Sequence, residues 1–284
     1  MAESIIEPVI EIEHLTLGYK NCRIINDINA QINAGEIIGI IGPNGAGKST
    51  FLKTLRNLMP CLTGKVKFFG KDNTELSAKD FARIVAYLQQ NTAPSFGYTA
   101  REIVLTGRYP YMKWWQEESD FDKQIADECM KYTGTLELAE RSVNEVSGGQ
   151  RQRILLAKVL AQQTPILFLD EPTTGLDVIY QEEIFRFAAE LSKFGKTVLM
   201  VVHELNFAAK YCSRIFLIAN GELLADGKPK EVFTEELLSR AYKTNVQVSY
   251  NPLNGNMEIT TVQDDNKTFA RNELLKRICN YNLY

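Results

Sequence analysis

The sequence predicts an α/β fold in which buried strands alternate with helices around a glycine-rich loop. Three observations carry this. The apolar runs Ile37-Ile38-Gly39-Ile40-Ile41, Ile166-Leu167-Phe168-Leu169 and Val198-Leu199-Met200-Val201-Val202 have the length and composition of strands buried on both faces. Helical patterns lie between such runs, as over Phe121 to Thr133 and in the apolar stripe that begins Ile154, Leu155, Lys158 and Val159. The stretch Gly42-Pro43-Asn44-Gly45-Ala46-Gly47-Lys48-Ser49-Thr50 joins the first run to the helical pattern Phe51-Leu52-Lys53-Thr54-Leu55, and it fits the spacing Gly, four residues, Gly-Lys-Ser.

In chain order, residues of about 9 to 75 contain short alternating strands such as Ile10-Glu11-Ile12 and Lys65-Val66-Lys67-Phe68-Phe69, separated by turns such as Asn33-Ala34-Gly35-Glu36. Within this region the glycines of the loop let backbone N–H groups curl around phosphate oxygens with no Cβ in the way. The helix that follows turns its partly positive N-terminus toward them. Lys48 adds a full charge near the β and γ phosphates, and Ser49 stands where a hydroxyl can ligate Mg²⁺. A nucleoside triphosphate site is the expectation.

Residues of about 91 to 160 lack buried strand runs and carry helical patterns, and from about 161 to 240 the β/α alternation returns. Val146-Ser147-Gly148-Gly149-Gln150 opens a helix, with Ser147 as its N-cap. The strand Ile166 to Leu169 ends in the adjacent carboxylates Asp170 and Glu171. A carboxylate in that place, beside a phosphate loop, is where a Mg²⁺ ligand is needed. Thr174-Gly175-Leu176-Asp177 follows, and the strand Val198 to Val202 ends in His203.

Composition limits the alternatives. The 284 residues are enough for a large core, and 24% charged with 45% hydrophobic residues is ordinary for a globular protein. A net charge of −3 without a long basic stripe argues against nucleic acid as a partner. No apolar run approaches the ~18 residues of a membrane helix, and Met1-Ala2-Glu3-Ser4 lacks the regions of a signal peptide. Any membrane role is expected to come through a partner. Cys22, Cys61, Cys129, Cys212 and Cys279 are scattered and lack metal-ligand spacing, as expected of reduced thiols in a cytoplasmic protein.

These motifs, in this order, resemble the ATP-binding subunit of an ABC transporter from about Val9 to about Val262. The resemblance implies a P-loop NTPase core with a small antiparallel β-subdomain and an inserted helical subdomain at about 91–160, all within 1–263. It implies ATP and Mg²⁺ as ligands. Gly42, Pro43, Asn44, Gly45, Ala46, Gly47, Lys48, Ser49 and Thr50 would bind the phosphates, and Tyr19 would stack on adenine. Ser49, Gln90 and Asp170 would serve Mg²⁺. Gln90 would also sense the attacking water, although Gln89 stands where relatives often carry proline and either glutamine fits. Glu171 would polarise the water and His203 would contact the γ-phosphate. Ser147, Gly148, Gly149, Gln150 and Asp177 would act across an interface, on the nucleotide held by a second copy of the chain.

Further stretches resemble the subgroup serving importers of iron-siderophore, haem or cobalamin. They are Tyr98 to Val104 with Gly107-Arg108-Tyr109-Pro110, Leu176 to Gln181, Gly221 to Gly227 with Glu231 to Thr234, and Val246 to Pro252. The implied partners are a second copy, integral-membrane permease subunits and, indirectly, an extracytoplasmic substrate-binding protein, with the chain held at the cytoplasmic face of the membrane. An exporter subunit, or the ATPase of a soluble assembly machine such as that for iron–sulfur clusters, is the alternative. Residues 264–284 fall outside the resemblance. Leu274, Leu275, Ile278 and Tyr281 fall near one face of a helix beginning around Thr268, expected to dock on the core or on the second copy.

Overall fold

A computed structural model describes residues 7–19, 22–89, 97–253, 255–262, 275 and 278. Its strands are β1 (Ile10–Tyr19), β2 (Cys22–Ile32), β3 (Ile37–Ile41), β4 (Thr63–Phe68), β5 (Lys71–Asp72), β6 (Val85–Leu88), β7 (Ile166–Asp170), β8 (Thr197–Val201), β9 (Arg214–Ala219), β10 (Glu222–Gly227), β11 (Val246–Tyr250) and β12 (Met257–Thr261). Its helices are α1 (Lys48–Leu55), α2 (Ala78–Ile84), α3 (Ala100–Leu105), α4 (Asp120–Tyr132), α5 (Gly148–Ala161), α6 (Val178–Lys193), α7 (Leu205–Tyr211), α8 (Pro229–Val232) and α9 (Glu235–Tyr242).

The central sheet has the order β10-β9-β3-β8-β7-β6. Its five strands from β9 to β6 run parallel and β10 closes the edge antiparallel. Alternation along these strands feeds two separate cores. Ile37 and Ile41 of β3, Leu167 and Leu169 of β7, and Val198 and Met200 of β8 face one core, which they share with α3 to α6. Ile38 and Ile40, Ile166 and Phe168, and Leu199 and Val201 face the other, shared with Phe51, Leu52 and Leu55 of α1 and with the second sheet. Burial on both sides explains why these strands read as unbroken apolar runs.

The second sheet, β2-β1-β4-β5, is antiparallel. β1 extends well past the Ile10-Glu11-Ile12 alternation because its pairing with β2 shifts register between Ile12 and Leu15, and again at Leu17. His14 sits at the first irregularity with φ of 49°, exposed and 2.8 Å from Asp27. It is the surface strand residue that the absence of any motif around it suggests. Between β6 and β7 the described elements are helical apart from an isolated antiparallel bridge between Thr99 and Ser142, running from α3 through the 3₁₀ turn Thr106–Tyr111 to α4 and α5. Capping boxes start three of these helices, at Thr99, Ser119 and Ser147.

Among the described residues no helix is long and apolar enough to cross a membrane. Cys22, Cys61, Cys129 and Cys212 are free thiols. The expected tail helix and Cys279 fall outside the described residues, except that Leu275 and Ile278 are helical and exposed.

Candidate functional site

The parallel strands deliver the candidate residues to one edge. β3 runs into the loop 42–47, β7 ends at Asp170 and β8 leads through Val202 to His203. Ligands of open parallel sheets collect at this carboxyl edge. An open cleft of about 410 Å³ lies there, walled by Ile24, Asn44, Gly45, Gly47, Lys48, Ser49, Thr50, Glu171 and His203.

Two glycines are dictated by space as well as by φ. Gly42 has φ of 143°, and a Cβ there would meet the Ile218 carbonyl oxygen at 1.9 Å. Gly47, the N-cap of α1, has φ of 100°, and a Cβ would stand 2.5 Å from Ile24 Cγ2. The loop therefore lies directly on β9 and β2.

Lys48 is 5% exposed, and its Nζ donates to the carbonyl oxygens of Gly42 (2.8 Å) and Pro43 (3.0 Å). Burial lowers its pKa, opposed by the negative charges of Glu171 and Asp170. Ser49 Oγ donates to Asp170 Oδ1 at 2.7 Å, and the Tyr87 hydroxyl donates to Asp170 Oδ2 at 3.0 Å. Burial, then the Asp170 charge, raises the Tyr87 phenol, so it stays a donor at neutral pH. Asp170 is 1% exposed, and both its oxygens are engaged.

Glu171 leaves β7 with φ of 50°, a left-handed turn that separates its side chain from that of Asp170. Its carboxylate lies 3.0 Å from His203 Nε2 and accepts from Thr174 Oγ1 at 3.2 Å. The following loop is tied to its neighbours: Gln152 of α5 donates to the Pro172 carbonyl (2.8 Å), and Thr173 donates to Glu204 (2.9 Å).

The candidate residues divide into two groups. Lys48, Ser49, Glu171 and His203 wall one cleft, with Asp170 behind Ser49. Ser147, Gly148, Gly149, Gln150 and Asp177 form no part of that wall. Ser147 Oγ accepts from the Gln150 N–H (3.2 Å) while Gln150 Oε1 accepts from the Ser147 N–H (2.9 Å). Asp177 caps α6 by accepting from the N–H groups of Ile179 and Tyr180, each at 3.1 Å. A Cβ on Gly148 would meet nothing within 4 Å, and one on Gly149 would come no nearer than 3.7 Å to Leu176. Nothing in this chain's own packing requires glycine at either position. Tyr19, at the end of β1, is 57% exposed and also stands outside the cleft wall. Gln90 lies outside the described residues. Sequence reasoning gave neither Tyr87 nor Ile24 a role, since nothing local marks either as facing the site.

A strand–loop–helix phosphate cradle, with a serine and two strand-end carboxylates beside it, defines a P-loop nucleoside triphosphatase. The family model described as ABC transporter matches residues 25–174. The iron(3+)-hydroxamate import ATP-binding protein FhuC of Bacillus subtilis (strain 168) is 39% identical over 241 residues, covering 84% of this chain and 90% of that protein. The hemin import ATP-binding protein HmuV of Nocardia farcinica (strain IFM 10152) is 38% identical, covering 85% and 83%. A dimeric ATP-binding cassette, MJ0796, solved in a post-hydrolysis state with ADP and Pi, superposes with a TM-score of 0.69 at 29% identity, covering 78% of this chain and 98% of that one. The chain belongs to the ABC transporter family and is an ATP-binding, ATP-hydrolysing subunit.

Proposed function

We propose that this chain powers the import of a metal chelate, of iron-siderophore, haem or cobalamin type, through permease subunits that hold it at the cytoplasmic face of the membrane. The observation that carries the ATPase half of this reading is the single cleft walled by Lys48, Ser49, Glu171 and His203. The import half rests on the likeness to the iron-hydroxamate and hemin import subunits.

Phosphoryl transfer to water is mainly a matter of position and charge. Loop N–H groups and the N-terminus of α1 receive the phosphates, and Lys48 turns from the loop carbonyls to the β and γ oxygens. Ser49 and Asp170 are hard oxygen donors 2.7 Å apart, the donor set Mg²⁺ takes when phosphates and waters complete its shell. They would hold the ion, which when bound neutralises phosphate charge. Gln90 would serve the same ion and the attacking water. Glu171 takes the water's proton as general base, while His203, already in contact with that carboxylate, holds it in place and meets the γ-phosphate. Tyr19 covers the adenine.

Ser147 to Gln150 and Asp177 complete the cleft of a second copy rather than their own. Two open glycines at the start of α5 leave its N-terminus bare, which suits close approach by a phosphate. Closure of two chains around two ATP molecules, and reopening after hydrolysis, is the motion passed to the permease. The helical subdomain of about 91–160 carries α5, inside an ABC ATPase domain of 1–263, and the tail 264–284 contributes to assembly.

The permease contact falls on the segment 108–115. Tyr111 is held by its hydroxyl bond to the Gln162 carbonyl (2.7 Å) and by Arg108, whose Cζ lies 4.4 Å from the ring centre. Trp114 and Trp115 pack edge to face at 5.3 Å, 92% and 64% exposed. Neither Tyr111 nor Trp115 is buried, and exposed aromatics of this kind anchor a partner helix. Replacing Tyr111 and Trp115 by alanine should reduce co-purification with the permease at least ~10-fold, the cost of losing more than 1.4 kcal/mol at an interface hot spot. The isolated chain should remain folded, melting somewhat lower because Tyr111 gives up its Gln162 and Arg108 contacts. Unchanged co-purification would place the contact elsewhere.

The cargo is tested by uptake in cells lacking this chain, supplied in parallel with a radioiron siderophore, haem and cobalamin. Restoration of one of the three by the wild-type chain, and not by Glu171→Gln, is expected. Restoration of none would refute the import reading.

A further inference from the structure

The base of the phosphate loop is fastened by a side chain 200 positions away. The Gly42 N–H donates to the hydroxyl of Tyr242, the last residue of α9, at 3.1 Å. The same Gly42 offers its carbonyl to Lys48 Nζ at 2.8 Å. One peptide-flanked residue thus links a phenol on a late helix to the cation that meets the nucleotide. Gly42 cannot shift toward the sheet, since the Ile218 carbonyl is already where a Cβ would be. α9 is itself anchored, through Leu238 and Ala241 in the main core and through the Ser239 hydroxyl, which accepts from the Val246 N–H at 3.0 Å.

The same late segment also reaches the helix that follows His203. Asn206, on the helix that begins two residues after His203, accepts from the Ile259 N–H of β12 through Oδ1 at 2.8 Å. α9 and β12 therefore tie down the phosphate loop and the helix that follows His203. Burial pushes the Tyr242 phenol up to about 12, with the Gly42 N–H pulling the other way, so the hydroxyl stays neutral across the physiological range.

We propose that Tyr242 is a positioning residue for nucleotide binding: its hydroxyl fixes the Gly42 peptide, and through it sets where the phosphate loop and Lys48 wait for the phosphates. It touches no nucleotide. Without the hydroxyl, the Gly42 N–H is left buried and unpaired, and the loop relaxes to recover a partner. The bound state, which needs one loop geometry, then forms less readily.

The inference rests on the phosphate-loop reading, so two variants separate them. Lys48→Ala should abolish ADP binding measured by calorimetry with Mg²⁺ present. If it does not, the phosphate-loop reading itself fails. Tyr242→Phe, which removes one oxygen and keeps the ring, should raise the Kd for ADP about five-fold, the worth of one net hydrogen bond. KM for ATP should rise alike, with kcat retained and the melting temperature of the nucleotide-free chain near wild type. Tyr242→Leu controls for packing: it should melt lower than Tyr242→Phe yet weaken ADP binding by the same factor. Wild-type affinity in Tyr242→Phe, or a loss of affinity that follows melting temperature across the two variants, overturns the assignment.

Discussion

Glu171→Gln should bind ATP as well as the wild type and lose on the order of 10²–10⁴-fold in turnover, the usual contribution of a positioned general base. The amide matches the carboxylate in size but cannot accept the water's proton. The structure also says what the exchange leaves intact. An amide in the place of Glu171 can still meet His203 Nε2 and accept from Thr174, contacts that orient the carboxylate at 3.0 and 3.2 Å. Asp170, with its bonds to Ser49 and Tyr87, is untouched. Loss of turnover with retained affinity is therefore expected, and single-turnover hydrolysis beside calorimetry reads both. Near-wild-type turnover would remove Glu171 from its assigned role.

The second large effect follows from the separation of the two residue groups. A mixed dimer with Lys48→Ala on one chain and Ser147→Arg on the other keeps one cleft in which both partners are wild type. Purified through two different tags, it should hydrolyse ATP at roughly half the wild-type rate, if the remaining site works unaided. Each homodimer has no intact site and should fall to background. Ser147→Arg also removes the α5 cap, at a cost of about 1 kcal/mol, so its melting temperature must be read alongside. A mixed dimer as inactive as both parents would show that neither site works alone, and equal activity in all three would rule out a shared site.

The features legible in the sequence were those whose physics is local. The phosphate loop is a strand, a turn and a helix start within nine residues, and each part has its own signature. The buried strands were visible because both faces of β3, β7 and β8 meet apolar layers, leaving no polar alternation to confuse with a loop. β1 was only partly legible. Its bulges at His14 and beyond shift the side chains off period, so alternation stops at Ile12 although the strand continues to Tyr19. The bonds that tune the site were invisible for another reason. Tyr87 reaches Asp170 across 83 positions and Tyr242 reaches Gly42 across 200. No spacing rule connects residues that only the finished sheet brings together. The division of the site was foreshadowed only through the family resemblance, since Ser147 reads by itself as an ordinary helix cap.

The most direct measurement is the mass and nucleotide content of the Glu171→Gln chain with Mg²⁺ and ATP, by native mass spectrometry. A cleft completed only by a second copy predicts a species of two chains holding two ATP molecules, which disappears when ATP is replaced by ADP or when Ser147→Arg is added. A single chain saturated with ATP, with no dimer at any nucleotide concentration, would contradict the account.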